Sequence, residues 1–270
     1  MNLYGFETQR LLKGLLTWSA VVNLLLVLFM AFYPSMAESG LADLSKYKLE
    51  ALPPAVLEAF GLNLMTDLSD LLQYYAYIAQ YILMAAAIYA LILGTSALIK
   101  EEADGTIEFL YARPVSRLEI TTGKLLSIVT VLWAFNLITF GVSVLLLHAF
   151  RDPGYEYLPL TLAMFSGMLA AQMVFLAAGF ALSTVLPRYS NPVTVGLGLF
   201  LVTYLLGTIA AVNEQLEWLK YLSPYHYVQP TNVLANDGTV EQVYLHIMLL
   251  TTLTAILFAY WRYRRKDLLV

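Results

Sequence analysis

Hydrophobic positions along this chain come in long unbroken blocks, separated by short polar connections. Six runs carry no charge at all: Leu15–Tyr33, Leu71–Ile99, Leu126–Phe150, Leu158–Leu186, Val193–Val212 and Tyr244–Tyr260. About 20 apolar residues in a helix cross the hydrocarbon core of a bilayer, and longer runs can tilt or emerge from it. The pattern therefore predicts six membrane-spanning helices, spans 1 to 6. None of the six runs contains Asp, Glu, Lys or Arg, and that absence bears on function.

Composition supports the membrane reading and removes other classes. Of 270 residues, 60% are hydrophobic and only 13% charged, and mean hydropathy is +0.69. A soluble domain is about 25% charged. A net charge of −4 excludes a basic nucleic-acid binder. With no cysteine there is no disulfide framework, thiolate zinc site or thiol catalysis. The expected fold is an all-α polytopic membrane protein forming a single transmembrane domain over residues 1–270, with no soluble domain and no internal repeat.

Cations set the orientation. The N-terminal segment, the 2–3 and 4–5 connections and the C-terminal tail hold eleven Lys and Arg, against four in the segments 34–70, 151–157 and 213–243. Acidic residues run the other way, seven against twelve. The positive-inside bias then puts both termini in the cytoplasm, with Arg262, Arg264, Arg265 and Lys266 as the strongest anchor. Arg10 and Lys13 before an apolar run, with Ser35-Met36-Ala37 after it, look a little like a cleavable signal. The run is longer than the usual 7–15-residue core, so the segment is expected to remain as span 1.

Two external connections are long. In 34–70, Leu52-Pro53-Pro54-Ala55-Val56-Leu57-Glu58-Ala59-Phe60-Gly61 reads as a short helix. Proline suits its first turn, Leu52, Val56, Leu57 and Phe60 share a face, and Gly61 can end it. In 213–243, Trp218, Tyr221, Tyr225 and Tyr227 flank Leu222-Ser223-Pro224 and suit a membrane interface.

The most informative stretch is Lys100–Leu125. Gly105 lets the chain turn after span 2, and Thr106–Tyr111 can form a short helix with Ile107, Leu110 and Tyr111 on one face and Phe109 opposite. Pro114 disfavours helix at Arg113. Ser116-x-x-Glu119 is a capping-box signature for a fresh helix entering span 3, and Lys124 can snorkel at its membrane edge. An ordinary positive-inside connection accounts for Arg113, Arg117 and Lys124. It accounts poorly for Glu101, Glu102, Asp104 and Glu108 or for an outward Phe109, which suit a docked partner.

Glu101-Glu102-x-x-Gly105-Thr106-Ile107-Glu108-Phe109-Leu110, followed by Arg113-Pro114-Val115-Ser116-Arg117, resembles the cytoplasmic motif of ABC-2-type transporter permeases. The resemblance implies a type V exporter architecture in which two six-helix subunits pair, this chain with a second copy or a related permease. Each would rest on a separate cytoplasmic ATPase that holds the ATP and magnesium. The helix at 106–111 would be the coupling helix received by that ATPase. Glu101, Glu102, Gly105, Glu108, Phe109 and Arg113 would transmit its motion, with Thr106, Leu110 and Pro114 completing the segment. The setting would be the plasma membrane of a prokaryote. A complex of the same kind could instead transmit force to an extracytoplasmic partner without transporting anything.

The residues themselves agree that energy comes from elsewhere. A P-loop needs G-x-x-x-x-G-K-[ST], but Gly123-Lys124 is followed by Leu125, and Leu118 stands in place of the first glycine. Ion-driven carriers place ionisable groups inside their spans, and here only His148 and His246 come close, both near external ends. With His226 in an external connection, three scattered histidines supply neither a metal cluster nor a buried Ser–His pair.

A polar-aromatic stripe on span 2, Gln73, Tyr77, Gln80 and Met84 with Tyr74 and Tyr81 beside it, faces a choice between export path and ordinary interhelical bonding. Thr203, Tyr204, Gly207 and Thr208 on span 5 are its candidate counterparts. Such a path suits an amphipathic or lipid-like cargo. Ala163, Gly167, Ala171, Gly196 and Gly198 are candidates for close helix packing, more often within one subunit than across a dimer.

Overall fold

A computed structural model describes residues 3–38, 67–100, 116–187 and 190–266. The helix read at 52–61 and the coupling helix read at 106–111 lie outside the described residues. Among those described there is no strand, and six helices are long and apolar enough to cross a membrane. Span 1 is Leu3–Ala31, continued by a short helix Tyr33–Glu38; span 2 is Leu71–Ser96; span 3 is Arg117–Phe150. Span 4 is Leu158–Leu182, span 5 is Pro192–Val212 and span 6 is Gln242–Arg265.

Several boundaries differ from the uncharged runs, because a helix ends where its backbone is capped and not where polarity changes. Span 1 begins at Leu3 rather than Leu15, and span 3 at Arg117 rather than Leu126, so Glu7, Arg10, Lys13, Glu119 and Lys124 are all helical. At span 3 the capping box forms as read. The Ser116 hydroxyl accepts from the Glu119 amide, and the Glu119 carboxylate accepts from the Ser116 amide at 2.7 Å. Asp70 caps span 2 through the Gln73 amide, and Asn191 caps span 5 ahead of Pro192. Span 4 stops at Leu182 rather than Leu186, where the chain turns through Ser183–Val185 towards Pro187.

Spans 2 and 4 form the centre, and both are mostly buried. Span 1 lies along span 3, span 5 against span 2, and span 6 against span 4. Spans 5 and 6 are mostly exposed, and large apolar residues such as Leu145, Leu201, Leu250 and Leu257 face outward. That is the surface a bilayer covers.

Two glycines permit the central crossing. A methyl group on Gly94 would meet the Leu176 carbonyl oxygen and lie 2.7 Å from the Phe180 amide nitrogen. On Gly179 it would lie 2.8 Å from the Leu91 carbonyl oxygen and 3.0 Å from the Thr95 amide nitrogen. Backbone meets backbone, so no flexible side chain can give way. Gly196 seats span 5 on Leu91 and Ile92, whereas Gly198 faces open space. Span 3 is tied to span 4 by a reciprocal amide pair, Asn136 to Gln172 at 2.7 Å and Gln172 to Asn136 at 3.1 Å, wholly buried.

Overpacking ordinarily costs about 1–3 kcal/mol. With backbone as the obstacle, Gly94→Ala and Gly179→Ala are expected to lower the thermal midpoint or abolish a monodisperse preparation, while Gly198→Ala leaves both unchanged. Melting in detergent, followed by size-exclusion chromatography, checks this.

Candidate functional site

Antiparallel alternation gathers Arg10, Lys13, Lys100, Arg117, Lys124 and the cations of span 6 at one end of the bundle, the basic end. Glu101, Glu102, Gly105, Thr106, Glu108, Phe109, Leu110, Arg113 and Pro114 lie outside the described residues, but both anchor points of that segment are defined. On one side is Lys100, just past span 2. On the other, Arg117 reaches across to span 6 and donates to the carbonyl oxygens of Arg264 at 3.0 Å and Lys266 at 2.8 Å. These are carbonyls that a helix C-terminus leaves without partners, and the guanidinium complements the dipole there. Thr122 and Tyr260 share a second hydrogen bond at 2.9 Å. Span 6, otherwise thinly held, is thus fastened to the start of span 3.

Lys124 does not snorkel to the surface. It is buried, and its ammonium lies 3.3 Å from the Glu7 carboxylate, itself buried. Span 1 continues past the apolar run and lies against span 3, which places the acid where the lysine would otherwise have to escape to water. Ser127 donates to the Tyr4 carbonyl at 3.1 Å, and the Tyr4 and Thr130 hydroxyls share a hydrogen bond at 3.0 Å, so the two helices are joined at several levels. Nothing local to Lys124 signals this; the signal is Glu7 in an otherwise basic N-terminal segment.

On the other flank, span 2 presents a partly open stripe through Gln73, Tyr77, Tyr81, Met84 and Ile88. Tyr81 donates to the Tyr77 hydroxyl at 3.0 Å, with the rings edge to face. The Gln73 side chain accepts from the Asp67 amide at 2.9 Å. Gln80 is not on the stripe: it is buried, and its backbone carbonyl accepts from the Tyr225 hydroxyl at 3.4 Å. On span 5, Thr203 donates to the Leu199 and Phe200 carbonyls and Thr208 to the Tyr204 carbonyl, so both hydroxyl protons stay within the helix. Tyr204 stacks on Phe200 and meets the Tyr225 ring edge to face at 5.3 Å.

Tyr225 belongs to the connection between spans 5 and 6, which is not simply an interfacial segment. Its first part, a 3₁₀ helix at Glu214–Leu222, does expose Trp218 and Tyr221. There Lys220 donates to Glu217, which holds that carboxyl below and that ammonium above their usual values. The next part turns inward. Helices Pro224–Tyr227 and Pro230–Ala235 pack on spans 2 and 4, and Tyr225 and Tyr227 are buried instead of interfacial. Gly167, now seen against this segment, lies close enough that an added methyl would stand 3.3 Å from Val228. Gln80 and Gly167 each sit roughly 13 Å along their helices from the end where the connection enters. The segment therefore folds back into the bundle, against spans 2 and 4. Short helices and non-helical backbone at that depth are tolerable because protein surrounds them. Tyr227 stacks on Tyr244 at 4.5 Å and donates to the Tyr221 carbonyl, closing the segment onto span 6. The Ser-Pro-aromatic run marked the place, but which rings turn inward depends on the groove between spans 2, 4 and 5.

His148 and His246 sit exposed at helix ends, as read. Mid-span polarity is neutral, consisting chiefly of the Asn136–Gln172 pair with Thr139 and Ser143 on span 3. Among the described residues no group of acids and histidines is arranged to hold a metal.

The family model described as ABC-2 family transporter protein matches residues 1–268 of the chain. No curated protein matches it.

Removing one member of a buried ion pair typically costs about 3–5 kcal/mol, whereas an apolar replacement of both is near neutral. Glu7→Gln is expected to destabilise strongly and Glu7→Leu/Lys124→Met much less, read as thermal midpoints. For the inset ring, Tyr225→Ala is expected to lose about 3–5 kcal/mol by leaving a void. Tyr225→Phe loses only one long hydrogen bond, about 1 kcal/mol, and the same melts separate the two.

Proposed function

The chain belongs to the ABC-2 family of transporter proteins, and on that premise we propose that it is the membrane permease of an ATP-driven exporter whose ATPase is a separate cytoplasmic subunit. It is a multi-pass membrane protein and a transport component. The observation that carries the finer reading is the placement of charge. In the membrane-spanning helices the acids and bases lie within about three turns of the basic end. The runs 15–33, 71–99, 126–150, 158–186, 193–212 and 244–260 contain no Asp, Glu, Lys or Arg. A carrier driven by protons or sodium would want such groups at mid-span. A permease worked from outside needs instead a handle at the membrane surface, and the 101–114 motif supplies one in sequence.

In this reading both termini and the basic end face the cytoplasm of a prokaryote, as the cation bias implies. Glu101, Glu102, Gly105, Thr106, Glu108, Phe109, Leu110, Arg113 and Pro114 receive the motion of the ATPase. ATP and magnesium stay with that partner. Movement of the segment would act on span 2 through Lys100 and on spans 3 and 6 through Ser116 and Arg117, where the anchors are. Two such chains, or this chain and a related permease, would enclose a path along Gln73, Tyr77, Met84, Thr203, Tyr204 and Thr208. Aromatic rings, a thioether and hydroxyls without charge favour an amphipathic or lipid-like cargo.

Gentle purification from native membranes tests the proposal. A stoichiometric soluble subunit with a P-loop is expected to co-purify and to be lost with Glu108→Ala/Phe109→Ala. In the reconstituted complex, Phe109→Ala should uncouple hydrolysis from transport more than Tyr111→Ala. No ATPase in any of several detergents and nanodiscs, with transport instead driven by a pH or sodium gradient, would overturn the proposal.

A further inference from the structure

Span 6 is held by its two ends. At the basic end Ala259 and Tyr263 are buried, and Tyr260 shares its hydrogen bond with Thr122. Arg117 donates there to the carbonyl oxygens of Tyr263, Arg264 and Lys266 at 3.3, 3.0 and 2.8 Å. At the opposite end Tyr244 and Met248 are buried, and the Tyr244 ring lies flat on Tyr227, 8° between their planes. Between these ends residues 249–258 are exposed or half-buried, and the Thr251 and Thr254 hydroxyls return to carbonyls of their own helix. A helix seated in this way can slide or tilt without disturbing a packed core. It is also stiff. Of the six spanning helices it is the one with neither glycine nor proline, residues at which sharp kinks concentrate. From Tyr244 to Tyr263 it runs roughly 28 Å, close to the thickness of a bilayer's hydrocarbon core. A movement given to one end therefore arrives at the other.

What it meets there is the inset segment. Tyr227 shares the short helix Pro224–Tyr227 with Tyr225, so the two rings shift together. Tyr225 lies edge to face on Tyr204 at 5.3 Å and on Phe200 at 6.1 Å, and its hydroxyl donates to the Gln80 carbonyl. We propose that span 6 is a second transmission arm beside span 2. Arg117 carries displacement of the start of span 3 into span 6, and Tyr244 delivers it to the inset segment, moving Tyr225 against Tyr204. Arg117 and Tyr244 are positioning residues, and neither has to touch cargo. Rigid elements with few packed contacts along their length carry such shifts of an ångström or two. That an ATPase supplies the displacement rests on the proposed function. The coupling of the two ends requires only the folded chain, and it is reciprocal.

The test is hydrogen–deuterium exchange, read by mass spectrometry on the full chain in nanodiscs without any ATPase. Arg117→Gln is expected to speed exchange at residues 224–235, at the far end, by about fivefold or more. Arg117→Lys, which keeps a donor in place, should recover part of that protection. Tyr244→Leu should in turn speed exchange at residues 259–265, which a purely local role would leave alone. Thr122→Val, a milder loss at the same latch, is expected to give a smaller rise at 224–235. It keeps the test open should Arg117→Gln fail to fold. Thr130→Val, which breaks the bond to Tyr4 at the same end of the bundle, should leave 224–235 unchanged. Residues 164–176 of span 4 are the internal reference. Faster exchange confined to the substituted end in Arg117→Gln, Thr122→Val and Tyr244→Leu would overturn the proposal. So would an equal rise at 164–176, which marks general loosening. A co-purifying ATPase with no effect at a distance would leave the proposed function standing and remove the arm.

Discussion

Helices in hydrocarbon gain little by hiding apolar side chains from one another, because lipid is as apolar as they are. What fixes their arrangement is how closely backbones can approach, and in this protein that is decided where span 2 crosses span 4. Gly94 and Gly179 bring the two backbones together with no room for a methyl group on either side. The other contacts follow from that crossing. Gly196 lets span 5 settle on the same stretch of span 2, and span 4 carries span 6 on its far side. Of the two span 5 glycines read as candidates for close packing, Gly196 packs and Gly198 faces outward.

The crossing leaves two open ends, and the protein fills them differently. At the basic end it uses charge. Glu7 and Lys124 join spans 1 and 3 in a buried pair, and Arg117 donates to backbone carbonyls at the end of span 6. A helix with so little of its surface buried needs such a fastening, since packing alone holds it weakly. At the opposite end the filling is aromatic. Tyr225 enters between spans 2, 4 and 5 and lies against Phe200 and Tyr204, while Tyr227 stacks on Tyr244. Tyrosine suits that depth because its ring packs like an apolar side chain and its hydroxyl can still find a carbonyl.

For transport, this division matters more than any single residue. Among the described residues the middle of the bundle holds no Asp, Glu, Lys or Arg, and the Asn136–Gln172 exchange is its chief polar contact. In the proposed mechanism force enters at the basic end, between Lys100 just past span 2 and the capped, anchored start of span 3. The proposed response appears at the other end, where Tyr77, Tyr81, Tyr204 and Tyr225 converge. Span 2 reaches both, which makes it the natural lever between them.

Much of this was legible in the order of the residues. Six uncharged runs close to or beyond the roughly 20 residues that cross a bilayer as a helix point to membrane-spanning helices, because a helix satisfies its backbone amides within the segment. The Ser116–Glu119 cap was equally local and formed as its spacing implied, and the motif at 101–117 pointed to the family that the whole chain matches. Local pattern could not show what depends on two distant segments meeting. Lys124 read as a surface lysine because its partner is on another helix, 117 positions earlier in the chain. Tyr225 and Tyr227 read as interfacial because the groove that receives them is built by three other spans. Gly94 and Gly179 looked like any glycines in an apolar run until the crossing put backbone against each. Hydrophobicity and capping act within a helix and are written in its own sequence. Close approach, ion pairing and inward turns act between helices, and only the tertiary structure decides which residues they join.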